Sequence, residues 1–361
     1  MDPSFYVIDP EGDLLLYVEE CLGQLHVSVF RTTETYTPLS TPRTLLANEG
    51  LSDDIANTVM FSSDAPEMQF DPSSLLGLQQ DDGVRVFKLR VLISSKHLTL
   101  VSKFFRTKLE AMLDLGESDI LPSCANEVDA LLVLLDVLHC QTRKVPRFLA
   151  PDMLFMVAVL ADHYRCIEAV EAFSEVWIEN LKKEVPTGYT ADLTKWIFIA
   201  WIFRDQNLFE LTTGIAVRES IGPLSDLPTP MIPGSLLRTI EKSRQDSIGY
   251  IIQIIYRRLE TLVHHGCCDD CDRLIAGTLV RQLQMHQLYP RPTAPFHGYN
   301  VDLLVRFINT IPEPRCNVLI HPVNGCLSNC VLLPELDHVF FDTLENNMTG
   351  MTATEFPLRV E

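Results

Sequence analysis

Between residues 84 and 113 the hydrophobic pattern of the chain changes its period. Val84, Phe87, Leu89 and Val91 fall close to alternation, whereas Leu98, Val101, Phe104, Phe105, Leu109 and Met112 recur at helical spacing. A strand that runs into a helix with almost no loop is therefore predicted. Ser94 and Ser95 stand at the hinge, where their hydroxyls are expected to cap the next turn, and Ser102 is placed to cap the helix over residues 104–112. Upstream, residues 14–18 and 25–30 read as two further strands.

Downstream the pattern is helical almost throughout. Val128, Leu131, Leu132, Leu134, Leu135 and Leu138 form one broad apolar face, and Pro151 suits the first turn of the next helix. Phe173, Trp177 and Ile178 extend a core-facing stripe. Pro186-Thr187-Gly188 interrupts the periodicity and marks a domain boundary. Beyond it, residues 193–203, 208–217 and 234–264 read as three helices, with a proline-rich loop over residues 221–234. The long third helix opposes an isoleucine-rich face to Arg238, Lys242, Arg244, Arg257 and Arg258, a basic stripe read as solvated.

Charge changes this picture in one place. The chain of 361 residues carries a net charge of -19, and residues 1–83 hold fifteen Asp or Glu against Arg31 and Arg43. So acidic a protein is not expected to bind nucleic acid, which requires a basic face. Within the acidic part, residues 31–82 are rich in Thr, Ser, Pro and acid, and read as a flexible insertion because they bury too little to offset their ordering entropy. No charged-then-apolar leader and no run of eighteen apolar residues occurs, so no membrane association is expected and the cytoplasm or nucleus is the expected compartment.

The strand, the Ser94-Ser95-Lys96-His97-Leu98 turn, the Leu98-to-Ser102 step and the Phe104-Phe105-Arg106 helix start together resemble a BTB/POZ domain, most closely its fungal branch. The acidic-glycine opening Asp9-Pro10-Glu11-Gly12-Asp13-Leu14, the leucine-rich helix ending at His139, Val145-Pro146, and Asp162-His163-Tyr164 with Cys166 and Trp177 follow in that family's order. The resemblance covers residues 7–183, interrupted once. It implies an α+β fold, a small sheet covered by helices, followed by a mostly α-helical C-terminal domain. The expected organisation is first strands at 1–30, insertion at 31–82, the remainder of the BTB/POZ-like domain at 83–185, and the helical domain at 186–361.

What the resemblance implies for function is a non-enzymatic scaffold that associates with proteins, either as a homodimer or as an adaptor. In the wider family an apolar-x-Glu step after the second long helix engages cullin ubiquitin-ligase scaffolds, and Leu115-Gly116-Glu117 occupies that place, making Leu115 and Glu117 candidate partner-binding residues. His139 and His163 have no nucleophile or carboxylate at a motif spacing and read as packed or capping histidines.

Ligand chemistry gathers elsewhere. Cys267, Cys268 and Cys271 precede a helix, and Cys316, His321, Cys326 and Cys330 follow about 45 residues later. Thiolates and imidazole suit tetrahedral zinc, so Cys267, Cys271, Cys316, His321, Cys326 and Cys330 are candidate ligands of a structural zinc, with ordinary buried thiols as the other reading. No GxGxxG, GxxxxGK, GxSxG or HExxH motif and no kinase set occurs. A metal-dependent or redox enzyme centred on the cysteine–histidine cluster is the alternative reading.

Overall fold

A computed structural model describes residues 4–21, 24–32, 88–116, 119–120, 127–224, 232–264, 269–312, 332–333 and 350–358. The fold is mixed α+β. One five-stranded sheet is formed by β1 (Ser4–Val7), β2 (Leu14–Cys21), β3 (Gln24–Arg31), β4 (Lys88–Ile93) and β5 (Asp119–Ile120), in the spatial order β1-β4-β2-β3-β5. β2 pairs antiparallel with both β3 and β4, whereas β1 lies parallel to β4. The insertion expected at 31–82 lies, apart from Arg31 and Thr32, outside the described residues, as do Val84 and Phe87.

Alternation explains why the sheet forms. Leu14, Leu16 and Val18 are buried, as are Val27 and Val29, and the register sets Leu16 against Val29 on one side and Val91 on the other. Each such side chain contributes about 1.5–3 kcal/mol on burial, and a slip of one residue would turn the whole set outward. The strand then runs into α1 (Ser95–Val101) and α2 (Lys103–Leu115), and α2 buries Phe105, Leu109 and Met112. The third helix of this part is α3 (Glu127–Leu138).

The remaining helices are α4 (Pro151–His163), α5 (Ile167–Leu181), α6 (Leu193–Ile202), α7 (Gln206–Glu219), α8 (Gly234–His264), α9 (Asp269–Met285) and α10 (Val301–Thr310). The chain divides into two compact units, Met1–Pro146 with His163–Val170 and Arg147–Asp162 with Glu171–Glu361. In the second unit α6 is apolar nearly all round, with Trp196, Phe198 and Trp201 buried, as a helix interior to a bundle must be. Another core joins Ile248, Ile251 and Ile255 of α8 to Ile275, Leu279 and Leu283 of α9 and to Leu304 and Phe307 of α10.

The basic stripe on α8 is not uniformly solvated. Arg238, Lys242 and Arg257 are exposed, but Arg244 and Arg258 are buried. Arg244 forms a two-pronged ion pair with Glu241, its Nε donating to Oε2 at 2.9 Å and its Nη2 to Oε1 at 2.8 Å. It also donates to the carbonyls of Pro295, Phe296 and Tyr299 at 2.7, 3.3 and 3.1 Å. The guanidinium is thereby satisfied on every side, the condition for burying a charge at tolerable cost. Local periodicity placed it with the solvated cations because its backbone acceptors lie some fifty residues further along the chain.

Candidate functional site

In the first unit, the segments that define the sequence pattern converge on the turn between β4 and α1. Gly12 is required there, since a Cβ at this position would come within 2.5 Å of the Ile93 carbonyl oxygen. The next residue supplies the helix cap. Ser95 donates its backbone N–H to Asp13 Oδ1 at 2.7 Å and its hydroxyl to Oδ2 at 2.5 Å. Burial acts to raise the Asp13 pKa, but the hydrogen bonds from Ser95 outweigh it and hold the carboxyl below its ordinary value. The expected hydroxyl cap is thus corrected: Ser94 makes no side-chain cap, and Ser95 delivers its hydroxyl to a carboxylate that performs the task better at a helix N-terminus.

His139 closes the turn from the other side. Its Nε2 accepts the backbone N–H of Ser94 at 3.0 Å, and its Nδ1 lies 2.8 Å from the Leu135 carbonyl. Nδ1 is therefore the protonated nitrogen of a neutral ring. Burial pushes its pKa down, and both nitrogens are occupied, so the ring is a packed connector rather than a base. Ser102 behaves as the sequence predicts: its Oγ accepts from the Phe105 N–H at 3.1 Å and caps α2, while its hydroxyl donates to the Tyr164 carbonyl at 2.5 Å.

A second polar contact joins His163 Nε2 to Asp119 Oδ2 at 2.8 Å. Phe104 and Tyr164 pack on the imidazole, with ring centroids 5.6 and 4.8 Å away. Tyr164 is wholly buried, and burial first, then the Asp119 carboxylate, raises its phenol well above the ordinary value. Burial pushes the Cys166 thiol up to about 12. A thiol so held stays protonated at neutral pH and is no nucleophile.

Of the expected site residues, Leu115 and Cys271 are described. Leu115, 73% exposed, ends α2 beside Gly116, which takes the left-handed conformation at φ 65°, and Glu117 lies outside the described residues. Cys271 is buried on α9, heading the stripe of Ile275, Leu279 and Leu283. Cys267, Cys316, His321, Cys326 and Cys330 lie outside the described residues. Among the described residues no group of three or more His, Cys, Asp or Glu is arranged to hold a metal. In the second unit a cleft of about 350 Å³ is lined by Pro151, Asp152, Asp192, Lys195 and Trp196, but Lys195 is already held by Asp152 at 2.6 Å and Asp192 at 2.9 Å.

One surface was not anticipated. Phe5 and Phe30, 40% and 51% exposed, stand on the sheet with Arg90 and Tyr17: the Arg90 guanidinium lies 5.9 Å from the Phe5 ring, and Tyr17 meets Phe30 edge-on at 5.1 Å. Aromatic residues at strand positions out of phase with the buried set were the available signal. Among the described residues no helix is long and apolar enough to cross a membrane. Comparison with family models, with curated proteins and with solved structures finds no match to this chain.

Proposed function

We propose that this protein is an interaction scaffold of the BTB/POZ type, acting through its surface rather than through a reactive centre. One observation carries the reading. The residues on which the resemblance rests engage one another: Gly12 against Ile93, Asp13 with Ser95, Ser94 with His139, and Ser102 with Tyr164. Contacts among these residues support reading the segments as one folded unit of that type. Among the described residues of the first unit, the row of Phe5, Arg90, Tyr17 and Phe30 and Leu115 at the end of α2 offer surface to a partner. Aromatic and arginine side chains are the residues from which binding hot spots are built.

The partner is either a second copy or a cullin-type scaffold, and the two are separable. Titration of the full chain with a purified cullin N-terminal domain should give a complex that Leu115→Asp weakens at least tenfold, with Phe30→Glu unaffected. Self-association should respond in the opposite way. A chain that binds neither itself nor the cullin domain contradicts the scaffold reading. A structural zinc held by Cys267, Cys271 and partners among Cys316, His321, Cys326 and Cys330 remains part of the proposal, supported by their clustering in the sequence.

A further inference from the structure

Residues 350–358 lie on α6 and α7 in the manner of a bound peptide. Four side chains recognise the segment, each through hydrogen bonds to its main chain. Trp201 Nε1 donates to the Phe356 carbonyl at 2.8 Å, and Arg204 Nη1 donates to the carbonyls of Ala353 and Phe356 at 2.6 and 3.1 Å. Gln206 uses both ends of its amide, donating to the Met351 carbonyl at 3.4 Å and accepting the Ala353 N–H at 2.9 Å. Thr213 Oγ1 accepts the Met351 N–H at 2.9 Å.

Side-chain selectivity is added at few positions. Met351, Ala353 and Phe356 are buried, with Phe356 beside Phe209, while Thr352, Thr354 and Glu355 are exposed. Gly350 is the strictest requirement, because a Cβ there would fall inside the backbone of Glu210. Backbone capture supplemented by pockets for spaced anchors is how grooves bind linear segments. The ligand pattern is glycine, then Met at one, Ala at three and Phe at six positions on.

We propose that the α6–α7 groove is a peptide-binding site, and that its partner is the 350–358 segment of a second copy of this chain. The segment whose fit is observed is the chain's own, and an exchanged copy would make identical contacts, so the exchange costs little. Sixteen residues, 334–349, separate it from Leu333, and such a length spans up to about 55 Å when extended. The proposal is independent of the first unit and of the function assigned to it.

Two full-length chains with different tags, mixed and captured through one tag, test the exchange. A synthetic peptide of residues 348–358 serves as competitor. With Phe30→Glu in both chains, so that association through the first unit is removed, the expected result is a hybrid that grows with protein concentration, is abolished by excess peptide and is not formed when both chains also carry Gly350→Ala. The labelled peptide should also bind the Gly350→Ala chain at least tenfold more tightly than wild type, because the resident segment no longer competes, and Gln206→Ala in that background should remove the binding. Absence of a hybrid, or a hybrid insensitive to peptide, overturns the proposal; the latter would assign self-association to another surface. Should Gly350→Ala fail to fold, peptide competition against the Phe30→Glu hybrid decides between the same two results.

Discussion

His139 and Asp136 lie on adjoining turns of the chain and respond to pH in opposite senses. Burial holds the His139 pKa below 6.5, so the folded state prefers the neutral ring. The stability it contributes is present above about pH 6.5 and is lost as the pH falls below it, because the unfolded chain binds the proton more readily. His139→Ala leaves the Ser94 N–H without its acceptor and should cost about 1–3 kcal/mol in urea denaturation at pH 7.5, with a smaller loss at pH 5.5. An equal loss at both would mean that burial does not hold the ring's pKa down. Asp136 is buried, its Oδ1 has no hydrogen-bond partner, and desolvation raises its pKa to about 6 despite Lys144. Here the folded state holds the proton more tightly, so stability falls as pH rises from about 4 to about 6. Asp136→Asn should therefore stabilise on the order of 2 kcal/mol at pH 8, and by much less at pH 4. A pH-independent effect would contradict the assignment.

At the scale of elements, the passage from β4 to α2 was legible because its signals are local. The change of period, the Ser102 cap and the apolar face of α2 all lie within thirty residues. Of the two neighbouring rings, Phe105 is buried and stacks on Tyr164 at 4.9 Å, whereas Phe104 is only partly covered. Phe105→Ala should cost about 3–5 kcal/mol and Phe104→Ala clearly less, and equal melting of both variants would contradict this placement. What comes from far along the chain could not be read. The Asp13 cap acts across 82 residues, and the Arg244 acceptors lie about fifty residues on. Helix α10 was missed although Asn300 caps it and Val301, Leu304, Phe307 and Ile308 mark its buried face. Arg244→Ala should cost about 3–5 kcal/mol, since the half-buried Glu241 loses its ion pair and three carbonyls lose their donor, while Arg257→Ala, at an exposed position, should fall within about 0.5 kcal/mol. Similar effects of the two substitutions would show that the stripe is solvated after all.

For the whole molecule, strands followed by helices were legible in the hydrophobic pattern, because alternation and helical spacing are separable along the chain, whereas their assembly into one small sheet was expected from the resemblance. The docking of residues 350–358 did not, because side chains there read a main chain whose sequence carries no periodic signal. The zinc candidates are a different case: only Cys271 among them is described, and it takes a core position on α9. Elemental analysis of protein purified without chelator should give about one zinc per chain, and Cys271→Ser should remove it; metal-free wild-type protein with unchanged melting would leave only buried thiols. The scaffold reading itself rests on association through the surface of the first unit. Sedimentation equilibrium of the full-length chain, alone and with a cullin N-terminal domain, tests it most directly. The account predicts a mass of two chains alone that Phe30→Glu returns to one, or of one chain plus one cullin domain in the mixture. A monomer throughout, unchanged by the cullin domain, would contradict it.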